Sequence, residues 1–142
     1  MVDVSAKAVT VRTATATGAV ELSEEVVRLL VEGGVPKGDA LAVARIAGIT
    51  AAKRTPDLVP LCHPIAIHGV SVDLAVREGG VDISATVRTA DRTGVEMEAL
   101  TCVAVAGLTL IDMVKAVDPA ARITNVQVEE KTGGATGNWR RP

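Results

Sequence analysis

The sequence has no phenylalanine and no tyrosine, and a single tryptophan, Trp139. That absence removes the stacking platforms on which proteins hold single-stranded nucleic acid. It also requires a core built from Val, Leu, Ile, Ala and Met. Positive charge is not in excess either: 15 Lys and Arg face 17 Asp and Glu, for a net charge of -2. A generally basic surface of the nucleic-acid-binding kind is excluded, and no nucleic-acid partner is expected. Only two cysteines occur, Cys62 and Cys102, with no CxxC pair and no disulfide framework. The opening MVDVSAKAVTVR has no apolar signal-peptide core. The longest uncharged run, the thirteen residues Ala99–Ile111, is shorter than the roughly 20 residues a bilayer requires. The expectation is a cytoplasmic protein with reduced thiols and no membrane partner.

What is present is an apolar chain of 142 residues, 48% hydrophobic, long enough for one domain spanning residues 1–142 with a real core. Val9–Val20 is rich in Val and Thr and reads as a strand. Glu21–Gly33 reads as a helix capped by Ser23 and ended by Gly33-Gly34. Asp39 caps a second helix, Ala40–Lys53, whose small residues allow close packing on a neighbour. Thr55–Pro64 holds three prolines and is no regular helix interior. Val70, Val72, Leu74 and Val76, then Val81, Ile83, Ala85 and Val87, alternate with polar or small residues on either side of Gly79-Gly80. That is a hairpin with one buried face. A long apolar helix falls within Gly94–Asp118, a last strand spans Arg122–Glu130, and a polar Gly-rich tail follows. With the second helix taken as an insertion, the order is a βαββαβ split arrangement: a ferredoxin-like α+β fold, antiparallel sheet, helices on one face and one extra helix.

The Gly94–Asp118 segment has ionisable residues only near its ends: Glu96 and Glu98 at entry, Asp112 and Lys115 near exit. Asp112 and Lys115, three apart, are neighbours on one helix face. A solvated surface pair is the plain alternative; the apolar run before them favours a partly buried acid–base pair. Glu96 and Glu98 point the same way if the chain is still extended there, and diverge by roughly 200° if it is helical. Glu98 and Asp112 lie about 21 Å apart along a helix axis, too far for one small substrate. Either the ligand is long or another subunit completes the site. His63 is held between Pro60 and Pro64 in PLCHP. A metal site would need Cys62, His63, His68 and Cys102 to converge, and adjacent Cys-His matches no usual zinc spacing. Arg12, Lys37, Lys115 and Lys131 are candidate anion ligands, although each lysine alone is more often a solvated surface charge. KTGGATG is no P-loop, because its glycines follow the lysine.

MVDVSAKAVTVR, KGDALAVARIAGITAAKRTPDLVPLCHPI and TGVEMEALTCVAVAGLTLIDMVKAVD together resemble the MoaC family, the cyclic pyranopterin monophosphate synthases of molybdenum cofactor biosynthesis. PLCHP and GVEMEALT at this spacing are specific, and the likeness runs from Met1 to about Gly137. Many members carry a short arm before MVDVS, where this chain begins, and NWRRP follows no family pattern. The resemblance implies a homohexamer, a trimer of dimers, with active sites at subunit interfaces. It implies an enzyme, a phosphorus–oxygen lyase, acting downstream of a radical GTP cyclase. Its substrate is then the cyclised GTP intermediate 3',8-cyclo-7,8-dihydroguanosine 5'-triphosphate, turned into cyclic pyranopterin monophosphate with loss of pyrophosphate. It implies Asp112 as general acid/base, Lys115 as its partner and Lys37 as a closing-loop residue. Leu61, Cys62, His63, Met97 and Glu98 then hold substrate, Glu96 reads the guanine-derived edge, and Arg12 and Lys131 cradle phosphates. No cofactor or resident metal is expected, with Mg²⁺ accompanying the triphosphate left open. The competing reading is a non-catalytic ferredoxin-like module that binds a nucleotide or pterin.

Overall fold

Alternation of small apolar and polar residues sets the sheet. In the computed structural model, which describes residues 1–142, β1 (Thr10–Glu21) lies between β3 (Gly80–Asp91) and β4 (Arg122–Thr132). β2 (Gly69–Arg77) pairs with the outer side of β3, and a two-residue β5 (Trp139–Arg140) with β4. Every pairing is antiparallel, in the order β2-β3-β1-β4-β5. On β1, Ala14, Ala16 and Val20 turn inward, while Thr13, Thr15 and Thr17 line the other face. Small polar side chains satisfy one another on that second face: the Thr15 and Thr86 hydroxyls meet at 2.9 Å, and the Thr17 hydroxyl donates to Glu129 at 2.6 Å.

Four helices accompany the sheet: α1 (Glu24–Glu32), α2 (Ala40–Ala52), α3 (Thr55–Leu58) and α4 (Glu96–Val114). The predicted caps form, with the Ser23 hydroxyl accepting from Val26 N–H and the Asp39 carboxylate from Ala42 N–H. Asp118 carries the far end of α4 to the start of α1, accepting from the backbone N–H of Ser23 at 2.8 Å. α4 covers β1, β3 and β4, and α2 packs along α4. This is the ferredoxin-like α+β arrangement.

One correction concerns which helix is added. The sequence reads α2 as the insertion, but it forms the helical layer with α4, while α1, which buries Val26 in the core, makes its main strand contact with β2. The reason is size. A Cβ at Gly48 would lie 2.9 Å from the Cys102 carbonyl oxygen and 3.2 Å from Ala106 Cβ, so the two helices meet almost backbone to backbone. Two local features went beyond expectation. Pro56 opens the short α3 from its first turn, where its missing N–H costs nothing. The Gly-rich tail returns as β5, with Arg141 N–H donating to Glu129 O at 2.7 Å.

The core is aliphatic, its largest buried side chains being Ile83, Leu110, Val20, Val26, Val81 and Val87. α4 is long and apolar enough to cross a membrane by length and composition, yet 56% of that window is buried within the protein. It is the central core helix of this fold.

Candidate functional site

α4 begins at Glu96, which settles the first open geometry: both entry glutamates are helical and diverge. Glu98 turns inward and is 3% exposed. Burial pushes its carboxyl pKa up, and the charge of Glu96 adds to that, against its own backbone N–H. Glu96 turns the other way and pairs with Lys131 of β4 at 2.9 Å.

Two hollows adjoin at this end of α4 and share Thr93, Gly94 and Glu96. The smaller, about 280 Å³, is lined by Leu61, Cys62, His63, Met97 and Glu98. Burial and the nearby Glu98 charge push the Cys62 thiol up, away from reactivity. His63 Nε2 lies 2.7 Å from the Val2 carbonyl, which ties the N-terminal segment to this loop. The larger hollow, about 580 Å³, is lined by Arg12, Lys131 and Lys7, with the Gly133–Thr136 loop as a wall. Arg12 Nε donates to the Asp91 carbonyl at 3.1 Å, which aims its guanidinium. Gly134, with φ +81°, lets the loop backbone lie against that guanidinium, where a Cβ would collide. Three cations against one carboxylate make this an anion pocket. Lys7 escaped the sequence reading because a lone lysine before a strand carries no signal. Only the fold brings it beside Arg12 and Lys131.

The other cluster stands at the far end of α4. Lys115 Nζ meets Asp112 Oδ1 at 2.7 Å, and Lys37 Nζ meets Asp112 Oδ2 and the Asp112 carbonyl, each at 2.9 Å. The loop before α2 thus delivers Lys37 to a carboxylate 75 positions later. The hydrogen bond from Lys115 first, then that from Lys37, holds the Asp112 carboxyl down at about 2. The expected partial burial is corrected: Asp112 and Lys115 side chains are 54% and 60% exposed. In the single chain Asp112 and Lys115 face solvent, while Met113 and Val114 of the same turn are buried in the core.

Of the predicted residues, Arg12, Glu96 and Lys131 line one hollow and Leu61, Cys62, His63, Met97 and Glu98 the adjoining one. Lys37, Asp112 and Lys115 form the separate trio. No three His, Cys, Asp or Glu side chains form a group able to hold a metal. Cys102 is buried between α2 and α4, its thiol pushed up to about 12 by burial.

The profile of the MoaC family matches residues 1–134. The chain belongs to the MoaC family. It is 67% identical to the cyclic pyranopterin monophosphate synthase of Streptomyces avermitilis over 141 residues, covering 99% of this chain and 83% of that protein. The Nocardioides synthase is 67% identical, with 100% and 89% covered. Cyclic pyranopterin monophosphate synthase 2 of Mycobacterium tuberculosis is 60% identical, with 99% and 84% covered. Among solved structures, the de novo designed protein Foldit4 covers 87% of this chain at 13% identity, but its TM-score of 0.32 carries no argument.

Proposed function

We infer that the chain converts 3',8-cyclo-7,8-dihydroguanosine 5'-triphosphate to cyclic pyranopterin monophosphate and pyrophosphate, in molybdenum cofactor biosynthesis. The observation that carries this reading is 67% identity to a named synthase across nearly the whole chain. The geometry supports a division of labour. Lys7, Arg12 and Lys131 neutralise the triphosphate in the larger hollow, where pyrophosphate departs. Glu96 and Glu98, with Leu61, Cys62, His63 and Met97, take the guanine-derived ring by its polar edges, since no aromatic is available for stacking.

Ring opening and reclosure need proton transfers at fixed positions. The Asp112 carboxyl, held at about 2, is ionised at neutral pH and orients the two ammonium groups; it becomes a useful base only when substrate draws one of them away. The donor role falls to Lys115 or Lys37, whose ammonium groups touch it. Cyclic phosphate formation follows the same logic: a sugar hydroxyl oxygen bonds to the α-phosphorus, the bond to pyrophosphate breaks, and the hydroxyl proton passes to a base.

The trio and the hollows stand about 21 Å apart along α4, so one chain does not bring them to one substrate. The site is completed between protomers of a homohexamer, a trimer of dimers. In this reading a radical GTP cyclase supplies the substrate, in the cytoplasm, and no resident cofactor is needed. Incubating the protein with the cyclised GTP intermediate tests the activity. Stoichiometric pyrophosphate and a pterin are expected, and demonstrable binding without either product contradicts it.

A further inference from the structure

Arg92 stands between the end of β3 and the start of α4. Its backbone N–H donates to its neighbour Asp91 Oδ1 at 2.7 Å. Its Nη1 donates to the carbonyl oxygens of Ser5 and Lys7, the latter at 3.1 Å. The segment it grips has little packing to hold it: Met1 and Val2 are each 73% exposed, and Lys7 is exposed. Polar bonds do that work instead. Lys7 N–H closes a turn on the Val4 carbonyl at 3.0 Å, Ser5 N–H caps onto Asp3 at 2.8 Å, and the Val2 carbonyl reaches His63. Those first two bonds are internal to the segment. Arg92 and His63 are the side chains that tie it to the rest of the fold. Arg92 pairs with no carboxylate and lines neither hollow, although its neighbours Thr93 and Gly94 line both.

We propose that Arg92 is a positioning residue for the phosphate cradle: by clamping the Ser5 and Lys7 carbonyls it fixes the Lys7 ammonium over the anion pocket. It rests on the reading of the larger hollow as the triphosphate site. The bonds are charge-assisted and two share one guanidinium nitrogen, so loss of this side chain releases the segment at both carbonyls. Lysine is a partial substitute, because its ammonium has donors for both carbonyls but sits on a more flexible stem that must be ordered to reach them. A freed Lys7 must be ordered again each time an anion binds, and that cost appears as weaker binding.

Calorimetric titration of the full chain with inorganic tripolyphosphate tests this without requiring turnover. Arg92→Ala is expected to weaken binding about tenfold, and Lys7→Ala by a similar factor. The Arg92→Ala/Lys7→Ala double variant should bind no more weakly than Lys7→Ala alone, because Arg92 acts through Lys7. Effects that multiply, or an Arg92→Ala protein that binds like the parent, overturn the positioning role while leaving the anion pocket intact. No tripolyphosphate binding by the parent protein overturns the pocket itself, and the positioning role with it. Should Arg92→Ala not fold, Arg92→Lys carries the same cycle with about a threefold loss expected.

Discussion

At its first turn α4 buries Glu98 and pairs Glu96 with Lys131; at its last turn Asp112 stands in solvent between Lys37 and Lys115. The same helix thus raises one carboxyl by burial and depresses another by two ammonium groups. The inner end is shaped: two hollows, the PLCHP loop beside one and the glycine-rich loop walling the other. The outer end has charges in good order and almost no walls. A catalytic acid–base group that must work out of water lacks, at the outer end, the cover that the inner end possesses. In the proposed function each chain supplies half of a site and borrows the other half, and this difference is the reason for that proposal.

The comparison is broken most severely at the outer end. Asp112→Ala or Lys115→Ala should lower the single-turnover rate constant by roughly 10²–10⁴-fold. Both variants should leave the midpoint of thermal unfolding nearly unchanged, because exposed pairs add little stability. An unfolded protein instead of an inactive one would make the trio structural. Lys37→Ala is next, with a loss of roughly 10²-fold and an unaltered urea midpoint. Asp112 keeps its Lys115 partner in that variant, so the acidic limb of its pH–rate profile should move only part of the way back.

The middle of α4 is tested by Gly48→Ala. The added methyl meets the Cys102 carbonyl at 2.9 Å and Sγ at 3.1 Å, so the α2–α4 contact must spread. A destabilisation of about 1–3 kcal/mol is expected in chemical denaturation. Activity per folded molecule should fall less than in the trio variants.

The smallest effect sharpens the contrast between the two carboxyls. For Glu98 the folded pKa is raised, so the native state holds the proton longer than the unfolded chain. Stability therefore falls as pH climbs from the ordinary carboxylate range through the raised value, and the cost persists at neutral pH. Glu98→Gln should flatten that slope and gain stability at pH 7, measured by urea unfolding across pH. Asp112 has the opposite sign: its contribution is present above 3.8 and lost as pH falls toward about 2. Asp112→Asn should leave the neutral-pH midpoint almost unmoved, because the pair is exposed.

Much of this was legible in residue order because local rules and the fold agree. The hairpin Val70–Val87 alternates because one face is buried, and its Gly79, with φ +74°, turns the chain. Ser23 and Asp39 cap the helices that follow them for purely local reasons. What stayed hidden depends on pairing between distant segments. β5 is two residues in a glycine-rich tail, and only its register, Lys131 opposite Trp139, makes it a strand. Lys7 lines the larger hollow only because the fold brings the N-terminal segment there, its carbonyl bonded to Arg92 85 positions away. The packing of α2 on α4 was foreseeable from its small residues, but which helix counted as the insertion was not. Asp112 is exposed although Met113 and Val114 beside it are buried, because an apolar run signals burial of the helix and does not say which face of its final turn looks outward.

The central claim is that one active site takes its two halves from different chains. Co-expression of differently tagged His63→Ala and Asp112→Ala chains, each inactive alone, tests it directly. If sites form between protomers, mixed oligomers contain some sites with both mutations and some with neither, and roughly a quarter of parental activity should return. A purified mixed oligomer as inactive as either variant alone would contradict the shared site.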